Sequence, residues 1–219
     1  MKHWSAFFDY VAPRVPGATP ELMELHIRNA AIEFCSETRA VTYDLPITTV
    51  VDQPEYDISL TGTGYAPILP DKVYYGSREL HEDTVDRLSK AVMGWREATG
   101  SPIVYICTDP YTIRFYPTPD EVIDIDVKLA VKPARDATGV ADYVFDRYVE
   151  VIANGTVASI ASIPQKPYSN PTTAKLAAME FSRGKASAKT EVYKSFTRAG
   201  TRVRLRKKFQ CQLLYRTMQ

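Results

Sequence analysis

Few side chains in this sequence are of the types that metal binding or acid–base chemistry needs. Fewer still stand at a useful spacing. The histidines His3, His26 and His81 are scattered, and none has a second His or Cys at the short separation that zinc ligation uses. Cys35, Cys107 and Cys211 are far apart and odd in number, which argues against a disulfide framework or a zinc site and suits a reducing cytoplasm. Asp124 and Asp126 would share one face of a strand and could serve acid–base work. A solvated strand face has the same spacing, and that is the reading adopted. Gly62-Thr63-Gly64 lacks the third glycine and the following helix of a dinucleotide fingerprint. There is no phosphate-loop motif, no nucleophile-elbow serine and no local Cys/His pairing. The 14 tyrosines could stack on bases, but in a β-rich protein they more often serve cores and interfaces. The expectation is a protein that is not an enzyme, with no catalytic residues, no cofactor and no metal.

The most informative pattern lies at the C-terminus. From Arg183 to Gln219 there are 11 Lys and Arg against the single acid Glu191, which leaves 16 of the chain's 27 basic and 25 of its 26 acidic side chains in the preceding residues. An acidic body with a basic end implies an interaction tail for nucleic acid or an acidic protein surface. Arg198 and Arg202 open it. Arg202, Arg204, Arg206 and Lys208 alternate with Val203, Leu205 and Lys207, so an extended chain would project the charges to one side. Val203, Leu205, Phe209, Leu213, Leu214, Tyr215 and Met218 make it too apolar for a purely solubilising terminus. A segment with both features orders on a partner, by adding a strand or filling a groove.

The elements that must position this tail follow from hydrophobic period. With 219 residues and 45% hydrophobic content, the chain reads as one domain, or one domain with a smaller lobe. No run approaches membrane-spanning length, and no signal peptide is read at the N-terminus. Trp4 to Val11 forms a short amphipathic turn. Thr19-Pro20-Glu21 starts a helix to about Glu37, with a capping hydroxyl, proline at the first position and an acid near the positive end. Its broad apolar arc, Leu22, Met23, Leu25, Ile27, Ile32, Phe34 and Cys35, suits contact on two sides. Strand-type runs follow at Val41–Tyr43, Ile47–Val51, Tyr56–Leu60 and Ile68–Tyr75, with a turn at Gly76-Ser77 and a short helix capped by Asp83-Thr84. Ile103–Cys107 and Tyr111–Tyr116 form a hairpin. From Ile123 to Lys132 apolar and polar residues alternate strictly.

The last elements are a helix pair. Val144, Phe145, Tyr148, Val149, Ile152 and Ile160 give one apolar side to a helix from about Asp142 to Ile163. Pro164, Pro167 and Pro171 break it. Thr172 or Thr173 caps the next helix, Ala174 to Phe196. Such a pair must recruit another layer. The expected fold is α+β. A three-helix base (1–39 and 133–197) carries an inserted antiparallel β-rich lobe (40–132) and an extended C-terminal arm (198–219).

Several features then stand in a familiar order. They are Pro16-Gly17-Ala18-Thr19-Pro20, Ala30 to Cys35, Gly94-Trp95, Gly100-Ser101-Pro102, Ile113 to Pro119 and the bend Pro164 to Pro171. In that organisation residues 4–196 resemble bacteriophage head-to-tail adaptor (connector) proteins of the tail-tubular-protein-A-like type. The resemblance implies a virion structural protein, assembled in the host cytoplasm. It would form a ring of twelve copies below the portal ring, join the portal to a tail or nozzle protein, and line the channel for DNA ejection. Genomic DNA would pass without sequence-specific binding, and no membrane is involved. Side-by-side packing would use the helix pair and β edges. The arm, Arg198 to Tyr215, would dock on the portal. Two rival readings remain: a neck or tail-completion protein without portal contact, and a DNA-binding module using the basic tail, whose binding would fall steeply with salt.

Overall fold

The computed structural model describes residues 1–194. Strand β1 (Lys2–His3), a 3-10 turn (Trp4–Phe7) and helix α1 (Phe8–Val11) lead to helix α2 (Pro20–Thr38). Strands β2 (Val41–Thr48), β3 (Glu55–Asp57), β4 (Tyr65–Tyr75), β5 (Arg78–Glu79) and β6 (His81–Glu82) precede helix α3 (Val85–Ala91). Strands β7 (Val104–Asp109), β8 (Thr112–Tyr116), β9 (Asp124–Pro133) and β10 (Gly139–Val140) then lead to helices α4 (Asp142–Ala161) and α5 (Pro171–Tyr193). The protein is α+β.

The helix starts follow their local chemistry. The Thr19 hydroxyl accepts from the Leu22 amide at 3.4 Å, and Pro20 opens α2. Helix α5 begins at Pro171, before the expected Ala174. Its cap is Asn170, which accepts from the Thr173 amide at 3.0 Å, and not Thr172 or Thr173. Asparagine caps as well as threonine, and proline fits the first helical position without losing a bond. The Pro16-Gly17 turn sits against the helix-pair bend: Gly17 has φ 86°, and a Cβ there would lie 3.7 Å from that of Pro167.

One sheet runs β2–β9–β4–β5, all antiparallel. Its centre is β9, where Ile125, Val127, Leu129 and Val131 are buried and Asp124 and Asp126 are exposed. The strict alternation fails at Ala130, which is also fully buried. The expected separate runs at Val41–Tyr43 and Ile47–Val51 are one strand through Pro46. Proline is tolerated because β2 is an edge strand, where the missing N–H faces away from the ladder. Strand β4 is covered on its other side by β5 only at Tyr74 and Tyr75, and its β9 register shifts between Pro67 and Leu69 and between Pro70 and Lys72. Both edges are thus interrupted by proline or by irregular register.

The second sheet runs β3–β8–β7–β6. The β7–β8 hairpin has the expected antiparallel pairing, but β6 pairs with β7 in parallel. The lobe is antiparallel as expected except for this two-residue parallel pair. The chain passes through α3 and a long loop between these strands, and a crossover of that length permits parallel pairing. Under α3 lies a small separate core of Leu88, Trp95, Val104, Ile106 and Tyr116.

The main core is continuous from the helices into the first sheet and reaches Tyr56, Ile113 and Phe115 of the second. Helix α2 packs on α4, α5 and β9. Met23, Ile27, Ala31, Phe34 and Cys35 supply its buried side, whereas Leu25, expected in that arc, is 49% exposed. Helices α4 and α5 approach closely through reciprocal notches. A Cβ at Gly155 would lie 2.9 Å from the Phe181 ring, and one at Gly184 would lie 2.6 Å from Val151.

Glycine in a helix costs about 1 kcal/mol relative to alanine, so Gly→Ala normally stabilises. Here Gly155→Ala and Gly184→Ala are each expected to destabilise by about 1–3 kcal/mol through overpacking. Urea unfolding checks this, with the exposed Ala186→Leu as a near-neutral control; a gain in stability at either glycine would contradict the interlock.

Candidate assembly surfaces

The residues singled out for chemistry are placed apart. The His3 imidazole accepts from the Ser5 amide at 3.2 Å and caps the 3-10 turn. His81 is exposed on β6. His26 Nδ1 lies 2.6 Å from Ser159 Oγ across the α2–α4 seam. That contact has the form of a nucleophile and base, but it lies on the rim of the seam with Arg14–Asn154 (2.6 Å). An open cleft of about 450 Å³ lies elsewhere, between Leu60, Gly64, Tyr111 and Asp136. Burial holds His26 below its usual pKa of 6.5.

Asp124 accepts from the Thr48 hydroxyl at 2.7 Å, and Asp126 stands between Pro46 and Tyr74. Both are exposed, as a solvated face requires. Gly62 and Gly64 have φ 78° and 74° in the turn before β4, a strand and not a helix. Cys35 is buried, and burial pushes its thiol up to about 12; Cys107 is exposed on β7. Among the described residues no group of three His, Cys, Asp or Glu could hold a metal ion, and no helix is long and apolar enough to cross a membrane.

The helix pair is where charge and packing converge. Lys185 on α5 reaches two acids of α2, Glu33 at 2.5 Å and Glu37 at 2.7 Å, and its Nζ lies 4.5 Å from the centre of the Phe181 ring. Burial lowers the lysine's pKa, but the two carboxylates outweigh it and the net shift is upward. Near the end of α5, Glu191 accepts from the Tyr148 hydroxyl at 2.8 Å and from the Arg147 guanidinium. Tyr148 departs from helical geometry (φ −126°, ψ 16°), and its ring lies 4.9 Å from that of Phe34. Burial first, and Glu191 second, push the tyrosine up to about 12. The last turn of α5 is therefore tied to α4.

Sequence reasoning missed what faces outward. The inner stripe of α5 is Ala174, Ala177, Phe181 and Ala188, all buried, while Leu176 is 60% exposed, Met179 61% and Tyr193 78%. The signal was present: Leu176 and Met179 are large apolar residues off the alanine stripe, three apart like a helix face. On α4, Asp142, Asp146 and Glu150 are all exposed, the first two one turn apart and Glu150 past the non-helical Tyr148. At the far tip of the first sheet Val50, Val51 and Val122 are exposed on loops fixed by Tyr56 and Thr49. The arm residues Arg198, Arg202, Val203, Arg204, Leu205, Arg206, Lys207, Lys208, Phe209, Leu213, Leu214 and Tyr215 lie outside the described residues.

The lowered pKa of His26 has a definite sign. The unfolded chain binds the proton first, so this group's stabilisation is full above pH 6.5 and is lost as pH falls below it. In His26→Gln that increment of acid sensitivity should vanish, read as the difference between wild-type and variant unfolding midpoints across pH 4–8; parallel profiles would contradict it.

No protein-family model matches the chain, and no curated protein matches it.

Proposed function

We propose that this chain is a virion structural protein of a bacteriophage, a head-to-tail adaptor. Copies form a ring below the portal, join it to the tail and line the channel through which the genome leaves. The role is assembly and not catalysis, at the head–tail junction of the virion.

The observation that carries this reading is helix α5. Its inner side is locked onto α4 by Gly155 and Gly184. Its outer side leaves Leu176, Met179 and Tyr193 in water, and its last turn leads directly to the basic, apolar arm. A rigid edge helix with an apolar outer face is a subunit contact in waiting. The sheet supports the same conclusion by exclusion, since Pro46, Pro67 and Pro70 interrupt its edges and discourage edge-to-edge pairing. On this reading the helix faces carry the larger share of the side-by-side contacts.

Charge gives the arm its task. All 26 acids and 20 of the 27 basic residues lie in 1–194, and the other seven basic residues lie in 195–219 with no acid. A net negative body does not hold DNA back in a conduit, and a positive arm carrying hydrophobes seeks an acidic, apolar groove on the portal. The same seven charges favour a second reading, in which the arm binds duplex DNA.

Co-sedimentation with the portal ring of the same genome separates the two. Full-length chain is expected to pellet stoichiometrically with the portal, and a truncation after Phe196 to remain in the supernatant. Failure of both forms at low and moderate salt would remove the portal contact and leave a neck or tail-completion protein. Binding of duplex DNA by the free chain, lost on truncation and steeply weakened by salt, would favour the second reading.

A further inference from the structure

Resting on the ring reading above, we infer that neighbouring copies meet through two different surfaces: the outer face of α5 on one copy and the exposed carboxylates of α4 on the next. The α5 face is apolar with a basic border. Leu176, Met179 and Tyr193 are exposed, and Lys175, Arg183 and Lys189 are exposed around them. Glu180, on the flank, is 3.5 Å from Arg183.

The α4 face has the opposite character. Asp142 and Asp146 stand one turn apart, where like charges repel each other within a helix, and Glu150 adds a third exposed carboxylate just past the non-helical Tyr148. Asp142 gains from the helix dipole and lies 3.5 Å from the amino terminus, but Glu150 is in the third turn, beyond the dipole's reach. Neither Asp146 nor Glu150 has an ion-pair partner among the described residues. Tyr143, 42% exposed beside them, supplies apolar ring surface, its hydroxyl being held by the Ala40 carbonyl at 2.9 Å. These exposed carboxylates are relieved by the α5 face, which pairs exposed hydrophobes with an excess of cations.

The two faces differ, so the contact is heterologous. Each copy offers one of each and can bind a neighbour on both sides, which closes to a ring when the rotation permits. The interlock of α4 with α5 holds the two faces at a fixed angle, which a closed ring needs.

A mixing experiment tests this. Leu176→Asp/Met179→Asp spoils the α5 face and leaves α4 intact; Asp146→Lys/Glu150→Lys does the reverse. All four sites are exposed, and matching melting curves confirm folding. In sedimentation velocity at low salt, full-length wild type is expected to grow beyond a dimer as concentration rises, and each variant alone to remain monomeric. An equimolar mixture of the variants is expected to form dimers and stop, because only one sound contact is available. Added salt should weaken the wild-type association, since these charges are exposed. Variants that assemble like wild type, a mixture that stays monomeric, or a wild type that is monomeric at the highest attainable concentration would overturn the inference. Loss of association on deleting the arm alone would assign the α4 carboxylates to the arm instead. None of these outcomes depends on the portal, so the adaptor reading stands or falls separately.

Discussion

The structure depends on the close approach of α4 and α5. Phe181 occupies the space that a side chain at Gly155 would fill, and Val151 the space that one at Gly184 would fill. Dispersion between such closely fitted surfaces is lost rapidly with separation, so two missing Cβ atoms set the spacing of the pair. The position of Lys185 follows from it. Stacked near the Phe181 ring, its ammonium reaches Glu33 and Glu37, and so draws α2 alongside the pair. Helix α2 in turn lies on β9, the central strand of the first sheet. A sequence of contacts therefore runs from two glycines to the placement of the sheet. At the end of α5, the Glu191 contacts with Tyr148 and Arg147 tie its last turn to α4.

A fold of this kind must choose where it is adhesive. Exposed sheet edges invite uncontrolled pairing, and both edges of the first sheet are interrupted, at Pro46 on β2 and around Pro67 and Pro70 on β4. The helical base makes the opposite choice. Its edge helix is packed by alanines and one phenylalanine inside and carries leucine, methionine and tyrosine outside. A helix that buries so little per residue gains modest stability from its own domain, and an apolar outer side gains more when a neighbour covers it. That asymmetry links the packing of the base to the proposed role in a ring.

Much of this architecture was legible in the sequence because local chemistry and global packing agreed. Thr19-Pro20-Glu21 reads as a helix start and is one. The alternation from Ile125 to Val131 marks a half-buried strand, and it is the centre of a sheet. The misreadings share a cause: a residue was judged by its habit and not by its neighbours. Two short runs, Val41–Tyr43 and Ile47–Val51, stand for what is one strand, because an edge position makes Pro46 harmless. Asn170 was passed over as a cap in favour of the threonines beyond Pro171. The parallel β6–β7 pair could not be foreseen, because register between short strands is set by α3 and its loop and not by composition. Gly155 and Gly184 carried no signal, since a glycine in a helix shows its purpose only when the facing side chain is known. For the surfaces, the excess charge of the tail was plain, whereas the α4 carboxylates needed their exposure to be known before they could be grouped.

The central claim is that this chain is a component of the head–tail junction, and direct imaging of that junction tests it most plainly. Electron cryomicroscopy of the virion is expected to reveal a ring of copies of residues 1–194 between portal and tail, helix pairs side by side, with the C-terminal end of α5 directed at the portal. Virions whose junction contains no density fitting this chain would contradict the account, whatever the purified protein binds.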